Sequence, residues 1–224
     1  SFSFKNKKSY ANLIKIIKIH NKFKIYFKVG SRIEFYYSKS NSKNHIQNLL
    51  ATLTTISLFF DLKNISKNIF LDFKFPEGRG DISKLKFKDK MINFVDESYN
   101  SNPLSLKTAL INFASIKSKK KSKHVLLGDM LELGKHSPKH HRSMSKVINK
   151  LKIDKVHVQG KDIKKTYQGL KENKRGLVLS SILQINDLIN KTLSNEDYLM
   201  VKGSNSTGLY KQSQLLKLNK SNVL

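Results

Sequence analysis

The chain has 224 residues, 38% of them apolar and 26% charged, with 3 Pro and 10 Gly. That length allows one large domain or two modest ones, and the composition is too apolar for disorder and too punctuated for a coiled coil. With no Cys there is no disulfide framework, thiolate zinc site or thiol nucleophile, and the densest apolar stretch, Leu49 to Phe60, is broken by Thr52, Thr54, Thr55 and Ser57, so nothing reads as a membrane span. The start of the sequence shows no initiator Met and no n-region, h-region and cleavage site, and Ser1 reads as a cut rather than a processed secretory terminus.

Lys and Arg total 43 against 16 acids, a net charge of +27. Such a balance is the usual footprint of a nucleic-acid binder. A folded chain of this size exposes roughly 10,000 Å², however, so evenly spread charges sit about 20 Å apart, beyond a screening length of about 8 Å. Lys, Asn and Ile are all abundant and share A/T-rich codons, so base composition accounts for the excess as well as selection for DNA does. The sharpest run, Lys117 to Lys123, has no interleaved aromatic and reads as a solvated loop. A nucleic-acid partner is therefore not expected.

In chain order, Phe23, Ile25, Phe27 and Val29 alternate with Lys22, Lys24, Tyr26 and Lys28; Gly30-Ser31 then turns into Ile33, Phe35 and Tyr37. This spacing predicts an antiparallel hairpin with one wet face. Helical spacing follows over Asn44 to Phe60, through Ile46, Leu49, Leu50, Leu53 and Ile56, and a second short helix is expected over Ser66 to Phe73. Pro76-Glu77-Gly78-Arg79-Gly80 breaks the pattern and marks a domain boundary, with 1–80 and 81–224 as the two parts.

Beyond it, strand-like Met91 to Asp96, His124 to Gly128, Lys155 to Gln159 and Tyr198 to Lys202 alternate with helical Pro103 to Ile116, Ser137 to Leu151 and weaker repeats. The alternation predicts an α/β fold with a mainly parallel, doubly wound sheet. Asn102-Pro103 and Ser137-Pro138 each place a capping side chain before a first-turn proline.

Ligands of such sheets bind outside the carboxyl ends of the strands. Three polar loops lie there and should share one rim: Asp96 to Pro103, Gly128 to Gly134, and Lys202 to Ser206. Gly128 to His136 imitates a phosphate loop but has five residues between its glycines and His136 where Ser or Thr is needed, so it is rejected as one. His136, His140 and His141 lack an evident third ligand and read as surface or packing residues. Arg79-Gly80-Asp81 is a chance adhesion tripeptide. Asp96 and Glu97 are either loop acids near a helix start or contacts to ribose hydroxyls or metal. Lys202-Gly203-Ser204 is either an ordinary turn or an ammonium and backbone donors facing an anion.

The phrases VDESYNSNP (Val95 to Pro103), LLGDMLELG (Leu126 to Gly134) and VKGSNS (Val201 to Ser206) closely resemble those of the Mur ligases, specifically the member that joins D-Ala-D-Ala to UDP-MurNAc-tripeptide. Asn44-His45-Ile46-Gln47-Asn48 resembles the family's H-N-x-x-N helix start, with His45 and Asn44 departing from its usual order, and Pro76 to Arg79 resembles its P-x-G-R segment. The resemblance spans nearly the whole chain and is weakest over Ser1 to Ser42. The family's ATP phosphate loop, catalytic acid and modified lysine have no counterpart, so the chain resembles the C-terminal half only. It implies that 1–80 is the tail of a central ATP-binding domain and 81–224 a Rossmann-like C-terminal domain, inactive by itself.

The resemblance further implies ATP and Mg2+ as cofactors, with the metal ligands mainly outside this half, and an acyl phosphate on the tripeptide attacked by the amine of D-Ala-D-Ala. On the matching positions, Arg79 and Lys202 would be catalytic. His45, Asn48, Asp96, Glu97, Tyr99, Asn100 and Asn102 would bind nucleotide together with Arg79. Lys202, Gly203, Ser204 and Asn205 would face the dipeptide or the transferred phosphate, and Asp129 and Glu132 would shape or buttress that pocket. Domain closure would exclude water. A cytoplasmic monomer engaged in peptidoglycan precursor synthesis is expected; a basic module binding nucleic acid or an acidic partner on the same scaffold is the alternative.

Overall fold

The computed structural model describes residues 1–4, 6–41, 43–73, 76–118 and 120–218. The chain divides into two compact units, Ser1–Lys74 and Phe75–Leu224.

The first unit is a four-stranded sheet in the order β1 (Phe2–Ser3), β2 (Ala11–Ile19), β3 (Lys22–Val29), β4 (Arg32–Ser38). β1 runs parallel to β2, and the other neighbours are antiparallel. The expected hairpin is β3–β4, closed by Val29 opposite Arg32 across Gly30-Ser31, with Gly30 at φ +60° supplying the left-handed turn position. Period-two alternation sends Ile25, Phe27, Val29 and Tyr36 to one face, where helix α1 (Lys43–Ile56) covers them with Ile46, Leu49, Leu50 and Leu53. α1 ends four residues before its apolar spacing does, and Leu58, Phe59 and Phe60 are exposed.

No helix forms over Ser66 to Phe73; that expectation is corrected to a string of turns, preceded by a 3-10 turn at Leu62–Asn64 whose cap Asp61 accepts from the Lys63 amide (3.0 Å). Tertiary contacts override the local spacing there. The Lys67 carbonyl accepts from the Tyr37 amide (2.8 Å), and Phe70 packs edge-on against Tyr36 at 5.4 Å.

The second unit is a six-stranded sheet with α-helices on both faces. In chain order its elements are β5 (Asp81–Phe87), β6 (Lys90–Asp96), α2 (Pro103–Ser115), β7 (Lys123–Gly128), α3 (Ser137–Ile148), β8 (Lys155–Gln159), α4 (Lys164–Gln168), β9 (Arg175–Leu179), α5 (Ile185–Thr192), β10 (Tyr198–Lys202) and α6 (Leu209–Leu218). The strand order is β5-β6-β10-β7-β8-β9, parallel throughout except for β5 at one edge. Crossovers share one hand, so connections leading away from β6 and those returning to it occupy opposite faces. α2, α3 and the α4 region accordingly pack against Val95, Val125, Leu127, Val156, Val158 and Met200. α5 and α6 pack against Phe94, Leu126, Leu199 and Val201 on the other face.

Asn102 caps α2 as expected, in a reciprocal box: its side chain accepts from the Ser105 amide (2.8 Å) and Ser105 Oγ accepts from the Asn102 amide (3.0 Å). Ser137 does not cap α3. A 3-10 turn, Gly134–His136, feeds the helix directly, so Ser137 is already helical and its hydroxyl donates to Asp162 at 2.6 Å. Lys123, read as the end of a solvated run, is buried in β7 and donates to the Ala114 and Ile116 carbonyls at 2.6 Å each, closing the end of α2.

Two places are packed tightly enough to predict outcomes. At the carboxyl ends of β7 and β10 the backbones touch: a Cβ on Gly203 would lie 2.6 Å from Leu209 Cδ1 and 3.1 Å from the Gly128 Cα. The backbone contact cannot yield as a side chain can, so Gly203→Ala is expected to cost about 1–3 kcal/mol in a urea titration.

At the opposite strand ends the Leu177 amide donates to His157 Nδ1 (2.9 Å), which leaves the His157 proton on Nε2 for His124 Nδ1 at 3.1 Å. Burial pushes the His157 pKa down from 6.5 to about 3, and His124 is lowered too, also chiefly by burial. An imidazole held neutral when folded takes up its proton only on unfolding, so stability is lost as pH falls through 6.5 toward 3. The unfolding free energy of this unit should drop by about 1 kcal/mol per pH unit or more between about pH 6 and pH 5, and His157→Gln should flatten that slope.

Candidate active site

β10 sits between β6 and β7, yet the chain leaves β10 for α6 on one face and leaves β6 and β7 for α2 and α3 on the other. Where neighbouring strands send their connections to opposite faces, a crevice opens at their carboxyl ends. The loops after β6, β7 and β10 meet there, and they are the three expected from the sequence to share a rim.

Lys202, the last residue of β10, holds two of them together. It is 3% exposed, and its ammonium donates to the Asn100 carbonyl (3.0 Å), the Glu97 carbonyl (3.3 Å) and the Glu97 carboxylate (3.4 Å). Ser204 joins the third: its hydroxyl donates to the Ser101 carbonyl (3.1 Å) and accepts from the Leu131 amide (2.8 Å), while its own amide donates to the Asp129 carbonyl (2.9 Å). Asn205 Nδ2 donates to the Tyr99 carbonyl at 3.2 Å. Lys202, Gly203 and Ser204, expected to face a ligand, are thus buried and bind the rim to itself.

The two acids after β6 part company. Asp96 is fully buried: Oδ1 accepts from the Ser98 amide (3.1 Å) and hydroxyl (2.5 Å), and Oδ2 accepts from Gln214 Nε2 (3.2 Å) and pairs with Lys217 Nζ (2.5 Å). Glu97 lies at the rim, half-buried, with its carboxyl pKa raised by burial against the opposing pull of Lys202. Burial likewise lowers the Lys202 pKa, partly countered by Glu97. One oxygen of Glu97 remains free of Lys202 to accept from a ligand hydroxyl.

The Pro76–Gly80 turn belongs to this unit and forms a fourth side of the rim. The Gly80 amide donates to the Asp96 carbonyl (2.7 Å) and the Tyr99 amide donates to the Gly78 carbonyl (3.0 Å). Gly78 adopts φ +77°, and a Cβ there would sit 2.9 Å from the Tyr99 nitrogen, so only glycine fits. The approach delivers the exposed Arg79 guanidinium to 4.2 Å from the centre of the Tyr99 ring. Tyr99 in turn meets the edge of Tyr210 at 5.7 Å.

Asn100 is exposed, its side chain accepting from the Ser101 amide, and Asn102 is occupied as the α2 cap. Asp129 points away from the rim: its carboxylate accepts from the amides of Lys161 (3.0 Å) and Ile163 (2.7 Å), bracing the β8–α4 loop. His141, fully buried, accepts from the Met130 amide at Nε2 (3.0 Å) and donates from Nδ1 to the Ser137 carbonyl (2.9 Å). Glu132 is exposed, at φ +62°.

His45 and Asn48 belong to the first unit, on α1. His45 is buried against Phe73, bonded to Ser38 Oγ at 2.7 Å and lowered in pKa by burial; Asn48 is exposed. The Asn44 side chain lies outside the described residues. Among the described residues no three His, Cys, Asp or Glu side chains gather to hold a metal ion. Sequence reasoning missed Ser98, Asp81 and the α6 residues Tyr210, Gln214 and Lys217. The i, i+4, i+7 spacing of those last three was the available signal.

The family model described as Mur ligase, glutamate ligase domain, matches residues 83–205. Over 73 residues, 33% of this chain and 16% of the relative, the sequence is 37% identical to UDP-N-acetylmuramoyl-tripeptide–D-alanyl-D-alanine ligase of Bacillus subtilis (strain 168). Among solved structures, MurF ligase from Thermotoga maritima in complex with ADP superposes with a TM-score of 0.63 at 17% identity, covering 97% of this chain and 48% of that one. MurF from Acinetobacter baumannii gives 0.67 at 19% identity, covering 96% and 46%. The chain therefore spans about half the length of the solved structures it resembles. The β6, β7 and β10 rim falls largely within the matched segment, and since that segment is more than half of the sequence, the chain belongs to the Mur ligase family through its glutamate ligase domain.

Proposed function

We propose that this chain is the C-terminal part of an ATP-dependent ligase that adds D-Ala-D-Ala to UDP-MurNAc-tripeptide through an acyl phosphate, in peptidoglycan precursor synthesis in the cytoplasm. In this reading Ser1–Lys74 is the end of the central ATP-binding domain and Phe75–Leu224 the C-terminal domain. The observation that carries it is the grouping of half-buried Glu97 with exposed Arg79 and Tyr99 on a rim whose loops are stapled by Lys202 and Ser204. The ADP in the Thermotoga maritima structure and the name of the Bacillus subtilis relative supply the substrate class.

ATP supplies the phosphoryl group that turns the tripeptide carboxylate into an acyl donor. The work of this chain is to bind and orient. A carboxylate accepts hydrogen bonds from neighbouring ribose hydroxyls, which suits Glu97; Asp96 is already saturated. A guanidinium presents a planar fork to phosphate oxygens, and Arg79 is exposed with its guanidinium over the Tyr99 ring. Charge growing on phosphate and tetrahedral oxygens is best met by cations already in place, a role for Arg79. Lys202 acts one step back by fixing Glu97 and the Asn100 carbonyl. Asn100, Asn102 and Asn205 shape the nucleotide loop, Gly203 and Ser204 set its distance from the β7 loop, and Asp129 and Glu132 support the dipeptide side. Within the first unit, exposed Asn48 keeps its proposed nucleotide role, whereas His45, buried against Phe73 and bonded to Ser38, would act only by packing.

Mg2+ fits the described residues poorly, since Asp96 is occupied by Lys217 and Gln214, Glu97 is paired with Lys202, and no three His, Cys, Asp or Glu side chains among the described residues gather at one point. Its ligands would come from the rest of the ligase, and no step here depends on them.

The test is an amide-forming assay of the ligase containing this chain, with ATP, UDP-MurNAc-tripeptide and D-Ala-D-Ala. Arg79→Ala should lower turnover at least about 100-fold, the scale of losing one charge-stabilising group; near-normal turnover removes Arg79 from the mechanism. DNA titrations should be weak and flat with salt, whereas a steep fall of log K with log salt would favour a polyanion-binding module instead.

A further inference from the structure

Behind the rim, one cation on α6 reaches both segments that carry its exposed groups. Lys217 Nζ pairs with Asp81 Oδ2 and with Asp96 Oδ2, the latter at 2.5 Å. The other oxygen of Asp81 accepts from the Gly78 amide (2.8 Å), one residue before Arg79. The other oxygen of Asp96 accepts from the Ser98 amide (3.1 Å) and hydroxyl (2.5 Å), between Glu97 and Tyr99. Two carboxylates thus relay one ammonium to the two turns at the open end of the β5–β6 hairpin. Tyr210 and Gln214 stand on the same face of α6: Tyr210 supports the Tyr99 ring and lies 3.1 Å from where a Gly78 Cβ would be, and Gln214 donates to Asp96.

We propose that Lys217 is a positioning residue of the active site, holding the Arg79 turn through Asp81 and the Glu97–Tyr99 loop through Asp96, with Tyr210 and Gln214 of the same helix face completing the support. The inference rests on the functional reading above only in assigning what those loops bind. Its physical basis is independent of that reading. Asp96 is fully buried and Lys217 is 18% exposed in its side chain, so the Lys217–Asp96 pair is made where water cannot replace it, while Asp81, 36% exposed in its side chain, is the wetter arm. Burial alone would lower the Lys217 pKa, but the two carboxylates outweigh it and raise it, keeping the ammonium charged. Asp81 and Asp96 already stand opposite each other in the β5–β6 ladder; the shared ammonium holds their side chains, and the two turns bonded to them, in one arrangement and so steadies the spacing of Arg79 from Glu97. That spacing is what a bound nucleotide would sense.

Amide hydrogen exchange in the 224-residue chain, with ADP affinity measured alongside, tests the arrangement. Lys217→Met should speed exchange at Gly78 and Ser98 by roughly tenfold or more, the scale of losing a hydrogen bond to a charged group, while Val125 in the sheet centre stays protected. ADP affinity should fall by a similar factor. Lys217→Arg should recover most of both losses, which a purely structural packing defect would not allow. Asp81→Asn should loosen Gly78 alone, because the Lys217–Asp96 pair survives it. Unchanged exchange at both amides, or uniform loosening that includes Val125, would overturn the proposal. If Lys217→Met fails to fold, Asp81→Asn decides: loosening confined to Gly78 supports it, and loosening of both amides or neither refutes it. A wild-type chain with no ADP affinity would count against the nucleotide reading and leave the exchange result to judge Lys217 by itself.

Discussion

The rim depends on the burial of a single ammonium. Lys202 ends a strand that is central in its sheet, so its side chain emerges among loops instead of into water, and its three N–H groups need partners inside the protein. An unsatisfied buried donor costs about 1–3 kcal/mol, more when charged. The loop after β6 supplies all three acceptors, two of them main-chain carbonyls. The conformation of that loop is therefore the solution to a desolvation problem posed by β10, and Glu97 is held where it is because it completes the set. Removing the charge would release the loop as well as the carboxylate.

This makes the two acids after β6 easier to understand. Adjacent carboxylates would repel if both were left in the open; here each has its own cation, Asp96 on Lys217 and Glu97 on Lys202, approached from α6 and from β10. Asp96 becomes part of the frame and Glu97 stays at the surface. The Arg79 turn is added by backbone hydrogen bonds to the same strand end, made possible by glycines at 78 and 80 that accept positive φ. The site is thus framed from three directions: by β10 in the middle, by α6 behind, and by the turn that enters β5.

The legibility of all this in the sequence was uneven. Strands buried on both faces, such as His124 to Gly128, announce themselves as continuous apolar runs, and the wet-faced hairpin of β3 and β4 by strict alternation. β2 carries lysines and isoleucines in a mixed order and gave no such signal, nor did the edge strand β5. The Ser66 to Phe73 segment has apolar residues at helical spacing, but Phe70 is drawn into the sheet's core beside Tyr36 and the turns follow from that. Asn102 was readable as a cap because its proline and Ser105 lie within one turn of it. Ser137, with the same Asn/Ser-Pro wording, was not, because a preceding 3-10 turn moved the helix start past it.

Sequence alone determined the alternation of strand and helix, hence the wound sheet, and with it the strand ends from which a binding rim must be built. It also named the residues present on that rim. Which of them face outward was decided only by the tertiary structure, because it turns on partners distant in the chain: Lys217 for Asp96, Lys202 for Glu97 and Asn100, Ser101 for Ser204. Local pattern reports whether a side chain prefers burial. It carries no information about which opposite charge will be waiting when the chain has folded, and for charged groups it is that partner which sets position.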